Sequence, residues 1–233
     1  ATLCAVSRSQ PTGGVTVADK RILILGIGNL LWADEGFGVR CVEAMAARWA
    51  FPESVTLLDG GTQGLYLLPH LEEADAVIVF DAIDYGLTPG TMKLVRGEEV
   101  PAFMGAKKMS LHQTGFQDVI ATATLKGCCP ERLALVGCQP EELEDYGGGL
   151  RPVTAAKILP AIEAGLTLLR GWGVSPLPGP PESLGEAVGD LADPAIRRTA
   201  YEAGRPSEED AYRKGDARFL PRRSARAPEP AEG

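Results

Sequence analysis

The chain has 233 residues, with 23 Lys+Arg against 31 Asp+Glu for a net charge of −8, and 45% of its residues are apolar. That composition describes one globular domain with room for an extension, and it excludes collagen, coiled coil and wholesale disorder. The acidic surplus repels a phosphate backbone and no Lys/Arg cluster in the first 171 residues offsets it, so nucleic-acid binding by the core is disfavoured.

Residues 1–20 lack the apolar core of a signal peptide and read as a flexible leader. No apolar run approaches the ~18 residues that span a bilayer, so a cytoplasmic protein without a membrane span is expected. Cys4, Cys41, Cys128, Cys129 and Cys138 show no C-x-x-C spacing and fit reduced thiols better than a disulfide framework or a zinc knuckle.

From Arg21 to Gly171 strands and helices alternate. Ile22–Leu25, Val55–Leu58, Ala76–Phe80 and Leu133–Val136 are short continuous apolar runs, the pattern of strands buried on both faces, and 91–95 reads as a more exposed strand. Helical spacing places Val39, Val42, Met45, Ala46 and Trp49 on one face of a helix over about 36–50. Leu65, Leu68 and Leu71 suggest a shorter helix, and Phe116, Val119, Ile120 and Ala123 another. A last helix is expected over 154–169, kinked or broken at Pro160. The fold class is therefore α/β: one domain with a mostly parallel twisted sheet and helices on both faces.

Composition changes after Gly171, where nine of the 18 prolines lie. Residues 172–233 read as a largely disordered, Pro- and charge-rich extension with a basic run from Arg213 to Arg226 and one short helix near 193–203, opened by Pro194 after Asp193. The basic run suits either a docking arm for an anionic partner or a solvated extension.

Open α/β sheets bind ligands at the carboxyl ends of their strands. There this chain places Gly26-Ile27-Gly28-Asn29 and Asp34-Glu35-Gly36-Phe37-Gly38, then Asp59-Gly60-Gly61-Thr62, Asp81-Ala82-Ile83-Asp84, and a loop with Ser110-Leu111-His112-Gln113. Dinucleotide binding fails on detail: Leu31 occupies the third glycine position and Asp59 lies too far along the chain, with the helix starting after the turn at Gly28. Glu35, Asp81 and His112 are a better lead, because two carboxylates and one imidazole suit a divalent transition ion with open positions. Each has a plainer reading: Glu35 as a helix-capping acid, Asp81 as a buried acid needing a partner, and His112 as a loop histidine bonded to backbone. Asp34 and Asp84 flank the triad and suit orienting roles. His70 reads as surface or capping, and Cys128-Cys129-Pro130 precedes a strand and so lies at the opposite end of the sheet.

Taken together, the Gly26–Asn29, Asp34–Gly38, Asp59–Thr62, Phe80–Ala82, Ser110–Gln113 and Leu135–Gly137 segments closely resemble the hydrogenase maturation proteases over about 21–171. That resemblance implies an endopeptidase that removes a C-terminal peptide from the large-subunit precursor of a nickel-iron hydrogenase. It implies metal contacts and catalysis at Glu35, Asp81 and His112, with nickel supplied by the precursor rather than held by the free protease. The leader and the extension fall outside the family pattern. Two mechanisms stay open: a held cation that polarises the scissile carbonyl or a bound water, and an aspartic-type route with Asp81 as base. Asp59, Gly60, Gly61 and Thr62 are expected at the substrate, where adjacent glycines let backbone N–H groups approach a carbonyl; a tight turn is the simpler account of the glycine pair. A non-catalytic nickel-sensing or chaperone-like binder of the same precursor would carry the same ligands. A monomer is the expected state.

Overall fold

The structure, a computed structural model, describes residues 20–101, 111–179 and 198–204. Leader residues 1–19, with Cys4, residues 193–197 and the basic run from Arg213 lie outside the described residues. Strands β1 (Ile22–Ile27), β3 (Val55–Gly61), β4 (Ala76–Ala82), β5 (Met92–Arg96) and β6 (Arg132–Cys138) form one sheet in the order β3-β1-β4-β6-β5, parallel except for β5. β2 (Trp49–Ala50) and β7 (Leu177–Pro178) form a separate antiparallel pair.

Alternation along the central strands builds two cores. Ile22, Ile24, Ile78, Phe80, Ala134 and Val136 face α1 (Phe37–Ala46) and the long helix Ile158–Gly171. Leu23, Leu25, Val77, Val79, Leu133 and Leu135 face α2 (Leu68–Glu73) and α3 (Leu111–Leu125) on the other side. With apolar side chains worth roughly 1.5–3 kcal/mol each when buried, both faces must be covered, which is why β1, β4 and β6 read as unbroken apolar runs.

Four local expectations are corrected. The first helix ends at Ala46 rather than near residue 50, because Phe51 precedes Pro52 and is biased away from helix; Trp49 instead enters β2 and lies partly buried against the core. β3 is an edge strand with Thr56 exposed, so it is not buried on both faces. A 3-10 turn over Gly64–Leu67 precedes α2, and its tighter period buries Leu67 and leaves Leu65 exposed. The last helix is two, α4 (Pro152–Ala155) and α5 (Ile158–Gly171), with the break before Pro160; Pro160 sits in the first turn of α5, where a missing N–H costs no helical bond.

Pro152–Gly171 has the length and hydropathy of a membrane span, but this stretch is broken at Ala156–Lys157 and packs on the sheet through Ala161, Ile162, Gly165 and Leu169. A Cβ on Gly165 would lie 2.7 Å from Phe80 Cζ. The chain then continues along the core, with Val174 buried and Leu177–Pro178 paired to β2. Of the helix expected over 193–203, α6 (Arg198–Ala203) lies within the described residues.

Candidate functional site

The strand order reverses between β1 and β4, since β1 is flanked by β3 on one side and β4 on the other. At such a switch point neighbouring loops leave in opposite directions and open a cleft. Gly38, in the first turn of α1, fits against the carboxyl ends of both strands: a Cβ there would lie 2.1 Å from the Phe80 carbonyl oxygen and 2.3 Å from that of Ile27. Gly28 approaches the next turn as closely, a Cβ falling 1.8 Å from the Glu35 carbonyl oxygen. α1 begins after this point, at Phe37, as expected, and the 3-10 turn Ala33–Gly36 fills the interval.

That turn carries Glu35, half-buried on the rim, and starts at Ala33, whose φ of 34° is a left-handed conformation that a side chain adopts only under strain. Asp34 is fully buried at 0% exposure. Its Oδ2 accepts the backbone N–H groups of Glu141 (2.8 Å) and Glu142 (3.0 Å) and the Thr154 hydroxyl (2.9 Å), while Oδ1 accepts the Arg151 N–H at 2.7 Å. Asp34 is thus the peg on which the loop between β6 and α4 hangs. Gly147 N–H donates to the Leu31 carbonyl, and Trp32 stacks edge-on with Tyr146 at 5.3 Å, tying the same loop to the first one. Asp34's partners lie 107 to 120 residues away, a distance over which sequence spacing carries no signal.

Asp81 ends the apolar run of β4, one residue past the Phe80 carbonyl that receives Gly38, and is 2% exposed. In register it faces Gly137 of β6. Tyr85 fills the space above that glycine, where a Cβ would lie 2.1 Å from the Tyr85 hydroxyl oxygen. Burial, and then the Asp81 charge, push the Tyr85 hydroxyl well above the ordinary tyrosine range, so the phenol is neutral beside the carboxylate. Gln139 fixes this turn: its side-chain oxygen accepts the Tyr85 and Leu87 N–H groups, and its amide donates to Asp84 Oδ1 at 3.0 Å. Lys93 lies 5.0 Å from the centre of the Tyr85 ring. Asp84, expected to flank the triad, therefore caps the 84–87 turn.

At the end of β3 the register against β1 slips by one residue, leaving Gly60 as a bulge; its Cβ would meet Leu25 Cδ1 at 2.7 Å. Gly61 takes φ of +43° and its carbonyl accepts the Gly28 N–H, which joins the Asp59–Thr62 segment to the first loop. Asp59 is half-buried and Thr62 exposed. α3 crosses at the next turn: a Cβ on Gly115 would lie 3.3 Å from Gly64 Cα. His112 stands three residues before Gly115 in α3, so its backbone belongs to this rim; its side chain lies outside the described residues.

The structure thus gathers the turns carrying Glu35, Asp59 and Asp81 and the first turn of α3, with the His112 backbone, at one end of the sheet. Among the described residues no three His, Cys, Asp or Glu side chains form a group able to hold a metal by themselves. Cys138 closes the rim from β6, its thiol pushed up to about 12 by burial and then by the Asp34 charge. His70 is exposed near the opposite end of the sheet, and Cys128 precedes β6 beside Glu72, away from the rim. A cavity of about 370 Å³ bordered by Arg96, Arg132 and Trp172 also opens at that opposite end.

A sequence model described as hydrogenase maturation protease matches residues 39–168. The chain belongs to the hydrogenase maturation protease family. It is 64% identical over 202 residues to the hydrogenase expression/formation protein HupD of Rhodobacter capsulatus, an alignment covering 87% of this chain and 94% of that protein. It is 46% identical over 159 residues to the hydrogenase 2 maturation protease of Escherichia coli, covering 68% of this chain and 96% of the relative. The solved structure of the E. coli hydrogenase maturating endopeptidase HybD superposes with a TM-score of 0.65 at 46% identity, over 68% of this chain and 97% of that one. This family's α/β fold, with a central mostly parallel sheet flanked by helices, is the fold described above. The sequence suggests an orienting role for Asp34 but not its partners in the loop between β6 and α4, and it shows no sign of Tyr85 over Gly137 or of Gln139.

Proposed function

We propose that this hydrogenase maturation protease hydrolyses one peptide bond near the C-terminus of a nickel-loaded hydrogenase large-subunit precursor, with Asp81, Glu35 and His112 at the scissile site. The observation that carries the reading is Asp81: an acid buried to 2% exposure at the end of β4, at the switch point, next to the turn that presents Glu35. A buried carboxylate is costly to keep in a core, and its position at the cleft gives it a task there.

In this reading the nickel arrives with the substrate. Carboxylate oxygens at Glu35 and Asp81 with an imidazole at His112 are donors suited to a divalent transition ion. Completion of that ligand set by the precursor's own residues would make cutting conditional on nickel. Peptide hydrolysis also needs a group to take the proton of the attacking water, and Asp81 supplies a carboxylate for it, with the neutral Tyr85 phenol alongside. Asp59 to Thr62 line the far side of the cleft. The protease is proposed to work as a cytoplasmic monomer, in keeping with the free thiols at Cys41, Cys128, Cys129 and Cys138.

The test is to incubate the protein with nickel-loaded and nickel-free precursor and to weigh both by intact mass spectrometry. Loss of one C-terminal peptide from the nickel-loaded form alone is expected; equal cutting of both forms would remove the nickel gate, and a stable complex without any cut would replace the protease by a binding protein.

A further inference from the structure

We infer that α6 forms one wall of the surface that receives the precursor and helps to select it, an inference that rests on the protease reading above. α6 has six residues, and helices shorter than ~12 residues are marginal alone in water, so its contacts account for its form. Two contacts seat it. The Tyr201 ring lies 5.6 Å from the Arg40 guanidinium, in the first turn of α1, and Arg40 is only 5% exposed. Glu202 lies against Gly149, where a Cβ would fall 2.7 Å from its Cγ, so the loop carries a glycine at the point of closest approach. α6 therefore fills the angle between the start of α1 and the loop that hangs from Asp34.

The same loop has a second side. Tyr146, 38% exposed, and Trp32 form an apolar shelf with the exposed Leu31 beside Glu35. Glu141 and Glu144 are exposed on this loop and Glu142 is half-buried. A substrate tail entering toward Asp81 crosses the shelf, and the folded body that carries the tail meets the acidic loop and α6. The partner chemistry that fits is a protein with basic residues flanking the tail to be cut.

The test titrates the full chain, its site residues unchanged, by calorimetry against nickel-loaded precursor whose cleavage site is substituted so that it is not cut. Tyr201→Ala and Gly149→Leu unseat α6 in independent ways. Each is expected to raise Kd by about tenfold, with the double variant no worse than the stronger single one and the melting temperature moved by only a few degrees. With the unsubstituted precursor the loss of kcat/KM is expected in KM, a split that mere support of the fold would not give. A Kd within twofold of the parent for both variants would overturn the inference. If the chain binds this precursor but never cuts the unsubstituted one, the protease reading fails while the docking claim is still tested by the same titrations; if it does not bind at all, both fail.

Discussion

Asp34→Ala removes the acceptor that holds four donors at once: the N–H groups of Glu141, Glu142 and Arg151 and the Thr154 hydroxyl, at 2.7 to 3.0 Å. A hydrogen bond to a charged acceptor contributes about 1.5–3 kcal/mol, and a buried donor left unmet costs about 1–3 kcal/mol. The four do not add, because the freed loop relaxes and water enters, so the expected cost is about 4 kcal/mol, the range found when one member of a buried polar network is deleted. For a domain of ordinary stability, about 5–15 kcal/mol, that is a large share. Asp34→Asn keeps the shape but sets an NH2 group against the Arg151 N–H or its neighbours, and is expected to cost about 2 kcal/mol. Thr154→Val removes one donor and is expected to cost about 1 kcal/mol. Urea unfolding followed by circular dichroism gives these values from the midpoint shift at constant slope. A cost below ~1 kcal/mol for Asp34→Ala would refute the idea that this carboxylate holds the loop.

Gly38→Ala drives a methyl into two backbone carbonyls at 2.1 and 2.3 Å and is expected to cost more than ~3 kcal/mol, read as loss of soluble protein or a collapsed melting temperature; near-native melting would mean that α1 shifts freely. Gly60→Val puts a branched side chain onto Leu25 and Ile27 and is expected to destabilise by about 1–3 kcal/mol in the same melts. The Tyr85 hydroxyl is held above its ordinary range, so the folded state keeps this proton longer than the unfolded chain does; the resulting stability is full below about pH 10 and is lost as pH rises further. Unfolding measured from pH 8 to 11 should therefore fall less steeply in Tyr85→Phe, and identical slopes would contradict the placement. Iodoacetamide at pH 8 should label the exposed Cys129 well before Cys41 and Cys138, whose thiols burial pushes up; equal labelling by peptide mapping would show an open core.

The continuous apolar runs at Ile22, Ala76 and Leu133 were legible as strands because burial on both faces leaves no room for polar residues. The run at Val55 misled in burial alone, since an edge strand can be apolar yet have one side open. Trp49 shares the helical spacing of Val42 and Met45, and only the chain's turn toward Pro52 removes it from α1. Leu65 and Leu67 exchanged places because a 3-10 turn shifts the buried face. The placing of Glu35 and Asp81 at the carboxyl ends of β1 and β4 was legible from the strands they follow. The contacts around them were not: Asp34 suits an orienting role from its place beside Glu35, but its partners emerge only when the loop from Glu141 to Thr154 folds over it, and Gly137 gives no hint of Tyr85 until β6 pairs with β4. Long-range polar contacts leave no periodicity in a sequence.

The most direct test of the central claim is the cutting rate of Asp81→Asn on nickel-loaded precursor, followed by intact mass beside the unsubstituted protein and with folding checked by circular dichroism. A proton-transfer group at the scissile bond is worth about 10²–10⁴-fold, so the variant is expected to leave the precursor whole over hours while its dichroism and melting stay native. Release of the C-terminal peptide by Asp81→Asn at the unsubstituted rate would contradict the assignment of Asp81 and, with it, the site built around the β1/β4 switch point.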